Sequence, residues 1–135
     1  MVEELITFET AKLAKEKGFD EITRSVYTPK GELDTGASDF WNSQRIYPNM
    51  KWAGASTQAL LQRWLRDKHQ TMIVINTYSV EDDIEQVEDE YWHYIVRVTT
   101  RESGPTHDVF VKDKYISYED ALEDGLKAGL LEIKI

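Results

Sequence analysis

The chain has 135 residues, with 25 acidic against 16 basic side chains, a net charge of −9 and a sequence pI near 4.8. Hydrophobic residues make up 41% and aromatics 11%, too much apolar matter for a disordered chain, so one domain over 1–135 with its own core is expected. No Cys occurs, which excludes a disulfide scaffold, thiolate zinc sites and Cys catalysis, and no apolar run reaches the roughly 20 residues of a membrane span.

The first element is a helix entered from Thr7 and stopped at Gly18. Thr7 accepts from the unsatisfied N–H groups of the first turn, Glu9 suits the positive pole, and Gly18 supplies a left-handed stop. At 100° per residue Phe8, Ala11, Ala14 and Gly18 share a face, and Leu13 lies beside it for a lesser contact. Residues 21–27 read as a short strand with Ile22 and Val26 on one parity. From 28 to 55 no period holds, and Pro29, Gly31, Gly36, Pro48 and Gly54 punctuate a long irregular loop. Phe40, Trp41, Tyr47 and Trp52 imply that parts of this loop pack down.

Ser56 is the expected cap of a second helix from Thr57 to about His69, with Leu60, Leu61, Trp64 and Leu65 on the core-facing arc. Gln62, Arg63 and Arg66 fall on the opposite side. Residues 71–78 and 91–100 are the clearest strands. In the second, Trp92, Tyr94, Val96 and Val98 point one way and His93, Ile95 and Arg97 the other. Between them, residues 81–90 carry seven carboxylates, and Val80, Ile84, Val87 and Tyr91 stand at helical spacing. A short acidic helix and a plain hairpin loop both fit the 79–90 segment. A Gly104-Pro105 turn then leads to a third hairpin strand over 107–112.

The last helix opens at Ser117 with Asp120 three residues on, a box-like cap. Ala121, Gly125 and Gly129 form a smooth row beside Leu122, Leu126 and Leu130. Each interior Gly costs about 1 kcal/mol relative to Ala, so a close approach to a neighbour is expected to offset it. The order α-β-α-β-β-β-α, with hairpin-joined strands, predicts an α+β domain: a small antiparallel sheet of three or four strands packed with three helices. The expected core is Leu60, Leu61, Trp64, Leu65, Val74, Trp92, Val96, Leu122 and Leu126.

Asp34-Thr35-Gly36-Ala37-Ser38 resembles the Asp-Thr-Gly-Ala motif of retroviral-type aspartic proteases, where two such loops share a proton between carboxylates. That resemblance makes an aspartic-type hydrolase centred on Asp34 one alternative. The lead-in here is polar rather than a hydrophobic strand, and Asp and Gly are ordinary turn residues. His69, His93 and His107 show no metal-ligand spacing, and no phosphate-binding Gly-rich loop or nucleophile elbow occurs. No catalytic residue, cofactor or metal is therefore assigned.

Charge is segregated. Residues 45–69 hold Arg45, Lys51, Arg63, Arg66 and Lys68 against Asp67 alone, a local +4 that leaves −13 for the rest. Arg63, Arg66 and Lys68 form a face that could meet a phosphate backbone, with a solvated helix face as the simpler alternative. Glu81, Asp82 and Asp83 in the acidic segment support the opposite idea, a DNA mimic that inhibits a host DNA-binding enzyme.

Three segments are similar to a family of small uncharacterised proteins of gut Bacteroides-type bacteria and their phages and prophages. They run from Thr7 to Phe19, from Ser56 through Thr57-Gln58-Ala59-Leu60-Leu61-Gln62-Arg63-Trp64-Leu65-Arg66, and from Tyr118 to Leu126. The Thr-Gln-x-Leu-Leu-Gln-Arg-Trp-Leu-Arg run is the most specific of them. The resemblance implies a phage or prophage setting in the cytoplasm of a bacterial host and no assigned activity. The leading expectation is thus a non-enzymatic protein-interaction module with a protein partner and no membrane, homo-oligomers included. Arg63, Arg66, Lys68, Glu81, Asp82, Asp83, Trp41 and Trp52 are its candidate contact residues.

Overall fold

The computed structural model describes residues 4–35, 40–41, 52–79, 92–101, 106–115 and 117–133. Helix α1 (Phe8–Glu16) begins where expected, with the Thr7 hydroxyl accepting the Thr10 N–H at 3.3 Å. It closes in a Schellman motif: Gly18 takes φ +94°, its N–H reaches the Lys15 carbonyl at 3.1 Å, and the Phe19 N–H reaches Ala14 at 2.9 Å. Ala11 and Ala14 are fully buried, Phe8 and Leu13 half-buried, and Gly18 itself exposed.

Helix α2 (Gln58–His69) starts one residue later than the sequence reading places it. Its N-cap is Thr57, not Ser56, and the Thr57 hydroxyl accepts from the Leu60 N–H at 3.1 Å. Ser56 is otherwise engaged: its carbonyl accepts the Ile6 N–H at 2.9 Å and its own hydroxyl turns onto the Thr57 carbonyl. Two adjacent hydroxyl residues offered two caps, and the tertiary bond to the N-terminal segment decided between them.

Gln70 ends α2 in the left-handed region at φ +48°, and the chain turns at once into strand β6 (Thr71–Ser79). Among the described residues five two-residue strands precede it: β1 (Ile22–Thr23), β2 (Val26–Tyr27), β3 (Leu33–Asp34), β4 (Phe40–Trp41) and β5 (Ala53–Gly54). The expected strand over 21–27 is thus two short ladders parted at Arg24 and Ser25: β1 pairs with β4, and β2 sits between β3 and β5. The 28–55 stretch, expected to be irregular, contributes three of these strands. The acidic 81–90 segment lies outside the described residues, so neither of its two readings is addressed.

The main sheet is antiparallel in the order β6-β7-β8, with β7 (Trp92–Thr100) central and β8 (His107–Tyr115) three residues longer than the sequence predicts. Pairing of β6 with β7 runs unbroken from Thr71↔Thr100 to Ser79↔Trp92. Pairing of β7 with β8 shifts register on either side of Val96. Thr71, Ile73, Val96, Val98 and Thr100 form the buried face, and the Thr71 and Thr100 hydroxyls bond across it at 2.9 Å. Met72, Asn76 and Arg97 are exposed on the other face. Val74, expected in the core, shares their parity and is only half-buried there.

Helix α3 (Tyr118–Leu131), capped by Ser117 onto the Asp120 N–H at 3.0 Å, lies across the buried face of β6 and β7. Both of its rows are buried, as Ala121, Gly125 and Gly129 and as Leu122, Leu126 and Leu130. Gly125 makes the expected close approach: a Cβ there would stand 2.6 Å from Ile73 Cγ2 and 3.0 Å from Val96 Cγ1. Helices α1 and α2 pack beside α3, with Trp64 edge-on to Phe19 at 5.3 Å. Leu61, Trp64, Leu65, Val96, Leu122 and Leu126 are in the core as predicted; Leu60 packs against it half-buried, and the Trp92 side chain lies outside the described residues. The described residues thus form an α+β arrangement with three helices and small antiparallel sheets.

Candidate interaction surface

The three basic candidates, Arg63, Arg66 and Lys68, are all exposed on α2, because the apolar arc of Leu61, Trp64 and Leu65 turns them outward. Lys68 and His69 stand at the C-terminal pole, where a cation meets the negative end of the helix dipole. Arg66 pairs with its neighbour Asp67, Nε to Oδ1 at 3.4 Å, with both side chains more than half exposed. Such a pair contributes between about 0 and 1 kcal/mol, and it leaves most of the guanidinium available.

An open groove of about 460 Å³ begins at Arg66 and runs over Gln70, Met72, Thr99, Arg101 and Thr106. The left-handed turn at Gln70 creates it, by folding the end of α2 back beside the end of β7, and the Arg101 N–H seals the turn on the Gln70 carbonyl at 3.2 Å. Met72 contributes an apolar side chain to its lining and is 53% exposed. Arg101 Nε bonds to the Thr106 hydroxyl at 2.8 Å, which holds the guanidinium over the groove. Thr99 donates to Asp108 Oδ1 at 2.7 Å and so ties one nearby carboxylate to the sheet. The groove is therefore lined by two arginines and an exposed methionine. That chemistry suits a carboxylate-bearing chain with an apolar side chain.

Sequence reasoning found Arg66 but missed Arg101, Met72 and Gln70. The α2 charge pattern announced Arg66. Arg101 reads as a turn residue, and only the register Met72↔Thr99 brings its end of β7 beside β6.

The remaining candidates disperse. Trp52 is half-buried and its carbonyl accepts from Lys15 Nζ at 2.6 Å, which places it beside α1, not in the groove. Trp41 pairs through its backbone with Ile22. Asp34 is exposed on β3. Glu81, Asp82 and Asp83 lie outside the described residues. Among the described residues no three His, Asp or Glu side chains gather as metal ligands, and no helix is long and apolar enough to cross a membrane.

A second polar cluster lies inside the molecule. Glu123 of α3 is 8% exposed, and its Oε2 accepts both the Thr7 N–H and the Thr7 hydroxyl at 3.0 Å. Its Oε1 accepts from Gln58 Nε2 at 3.1 Å, and the same amide nitrogen donates to the Glu119 carbonyl at 3.0 Å. The carboxylate thus acts as a shared cap between the starts of α1 and α2. Close by, the Tyr27 hydroxyl donates to the Ile6 carbonyl at 2.6 Å; burial first, and the Glu123 charge second, push its pKa above 10.0. Burial lowers the pKa of Lys15. With three donors on two oxygens, Glu123 serves as a latch among helices. Comparison with known protein families, with characterised proteins and with solved structures returns no match.

Proposed function

We propose that this chain is a non-enzymatic protein-interaction module of the phage or prophage setting its helix motifs suggest, acting in the cytoplasm of a bacterial host. The observation that carries this reading is the groove lined by Arg66, Arg101 and the exposed Met72. A groove that combines an exposed methionine with two arginines suits an acidic protein segment carrying an apolar side chain. Arg63 and Lys68 on the same helix extend the cationic surface beyond the groove and raise the encounter rate with such a partner.

The test is a comparative capture from bacterial host extract at low salt, using the wild type and the double variant Arg66→Glu, Arg101→Glu. Both positions are exposed, so the variant is expected to fold with an unchanged circular dichroism spectrum. A protein retained by the wild type and lost by the variant supports the reading. Equal capture by both removes the groove from it. Nucleic acid in place of protein, lost with Arg63→Glu and Lys68→Glu, replaces it with phosphate-backbone recognition.

A further inference from the structure

The two edges of the main sheet are built differently. Strand β8 carries the devices that keep an edge from pairing: its register with β7 shifts twice, and four of its nine residues, Asp108, Lys112, Asp113 and Lys114, are charged. Strand β6 carries none of them. Its nine residues, Thr-Met-Ile-Val-Ile-Asn-Thr-Tyr-Ser, include no charge, no Pro and no Gly, and its ladder with β7 is unbroken over all nine pairs. Among the described residues no strand pairs with the outer side of β6, and no backbone bond outside the sheet reaches it. In a chain of which 30% is charged, a neutral, straight, nine-residue edge is the exception, and it falls where no described strand pairs.

We propose that β6 is a self-association edge, pairing antiparallel with β6 of a second copy to join two three-stranded sheets into one of six. Neutrality favours a second copy as the occupant. In a two-fold strand pair every side chain reappears on the opposite strand, so any charge on β6 would recur within the same short seam. Like charges directly opposite are destabilising, and a neutral strand avoids this at every register. A foreign strand carries no such requirement, since its charges could complement those of the edge. With all nine residues overlapped, Ile75 faces Ile75 and Val74 faces Asn76. The seam thereby sets the half-buried Ile75 of the two copies side by side. The pairing also sets the two Arg66–Arg101 grooves at opposite ends of the joined strands, because each groove sits where its own β6 begins.

Sedimentation of the full chain over a concentration series tests this, with dimers expected to accumulate as concentration rises. Asn76→Lys, at an exposed position of the edge, is expected to raise the dimer dissociation constant at least about tenfold with the thermal midpoint of the monomer unchanged. Because the chain has no Cys, Asn76→Cys gives a single thiol for a spin label, and neighbouring strands about 5 Å apart predict label separations of roughly 10–20 Å in the dimer. A wild type that stays monomeric up to about 1 mM, the weak limit of specific association, overturns the proposal. So does a dimer that tolerates Asn76→Lys or holds its labels well beyond that range. Capture of an extended peptide by a chain that never dimerises would likewise assign the edge to a different occupant.

Discussion

Glu123 shows how one side chain can be central to the fold and invisible in the sequence. Its oxygens receive the Thr7 N–H, the Thr7 hydroxyl and the Gln58 amide, three uncharged donors. Glu123→Gln therefore turns an NH₂ toward one of these donors whichever way the amide is set. The expected cost is about 1–3 kcal/mol, the range for a buried group left facing a like partner. Urea unfolding measures it, against Glu119→Gln, whose exposed side chain predicts a change within about 0.5 kcal/mol. Equal effects of the two would show that the latch contributes nothing. Tyr27 adds a pH-dependent reading of the same corner. Its folded-state pKa lies above the unfolded 10.0, so its contribution is complete below that pH and is lost as pH rises through the folded value. Tyr27→Phe loses the bond to the Ile6 carbonyl, about 1 kcal/mol near pH 8, and the gap to wild type is expected to narrow near pH 11. Lys15 works the opposite way, its lowered pKa adding stability as pH climbs toward 10.5. It is present in both proteins, so the difference between them isolates Tyr27. A gap constant with pH would mean that Tyr27 titrates alike in both states.

At the level of elements, the glycine row of α3 makes a sharper prediction than the sequence could. Gly125 and Gly129 look equivalent as letters, four apart on one stripe. In place they differ: a Cβ at 125 would strike Ile73 at 2.6 Å, while at 129 it would meet Leu65 Cδ1 at 3.3 Å and Thr71 Cγ2 at 3.4 Å. Gly125→Ala must push apart a helix and a sheet, an overpacking cost of about 1–3 kcal/mol that exceeds the roughly 1 kcal/mol gained in helix propensity. At Gly129 the flexible Leu65 terminus can give way, so Ala is expected to be neutral or stabilising by up to about 1 kcal/mol. Thermal unfolding of both variants checks the order, and a less stable Gly129→Ala than Gly125→Ala would contradict it. The three helices and the long strands were legible because caps and apolar periods repeat over nine or more residues. The β1–β5 ladders were not, since two residues carry no period. Nor was the choice of Thr57 over Ser56, nor the latch at Glu123, because each depends on a partner distant in sequence. The groove was half legible: Arg66 belongs to a helix face, whereas Arg101 reaches it only through strand register.

Across the whole molecule the two sets of sheets differ in how firmly they are held. The ladder of β6, β7 and β8 is backed by α3 through fully buried Val96, Val98, Leu126 and Leu130, so opening it exposes core side chains. The β1–β4 pair has only Ile22↔Trp41 and Thr23↔Phe40, and Ile22 is largely exposed. The β3 side of its sheet is exposed at both Leu33 and Asp34, while β2 is held better, by buried Val26 and by the Tyr27 bond to Ile6. Local opening free energies follow buried contact, from about zero at weakly held segments up to the global value in the core. Native-state amide exchange is therefore expected to be slowest at Val96 and Val98, intermediate at Tyr27, and fast at Ile22 and Leu33. If the proposed edge pairing forms, protection along the outer side of β6 rises with protein concentration while that of Val96 stays fixed by global unfolding. Exchange at Ile22 as slow as at Val96 would mean that the short ladders unfold only with the core, and that the chain behaves as a single cooperative unit.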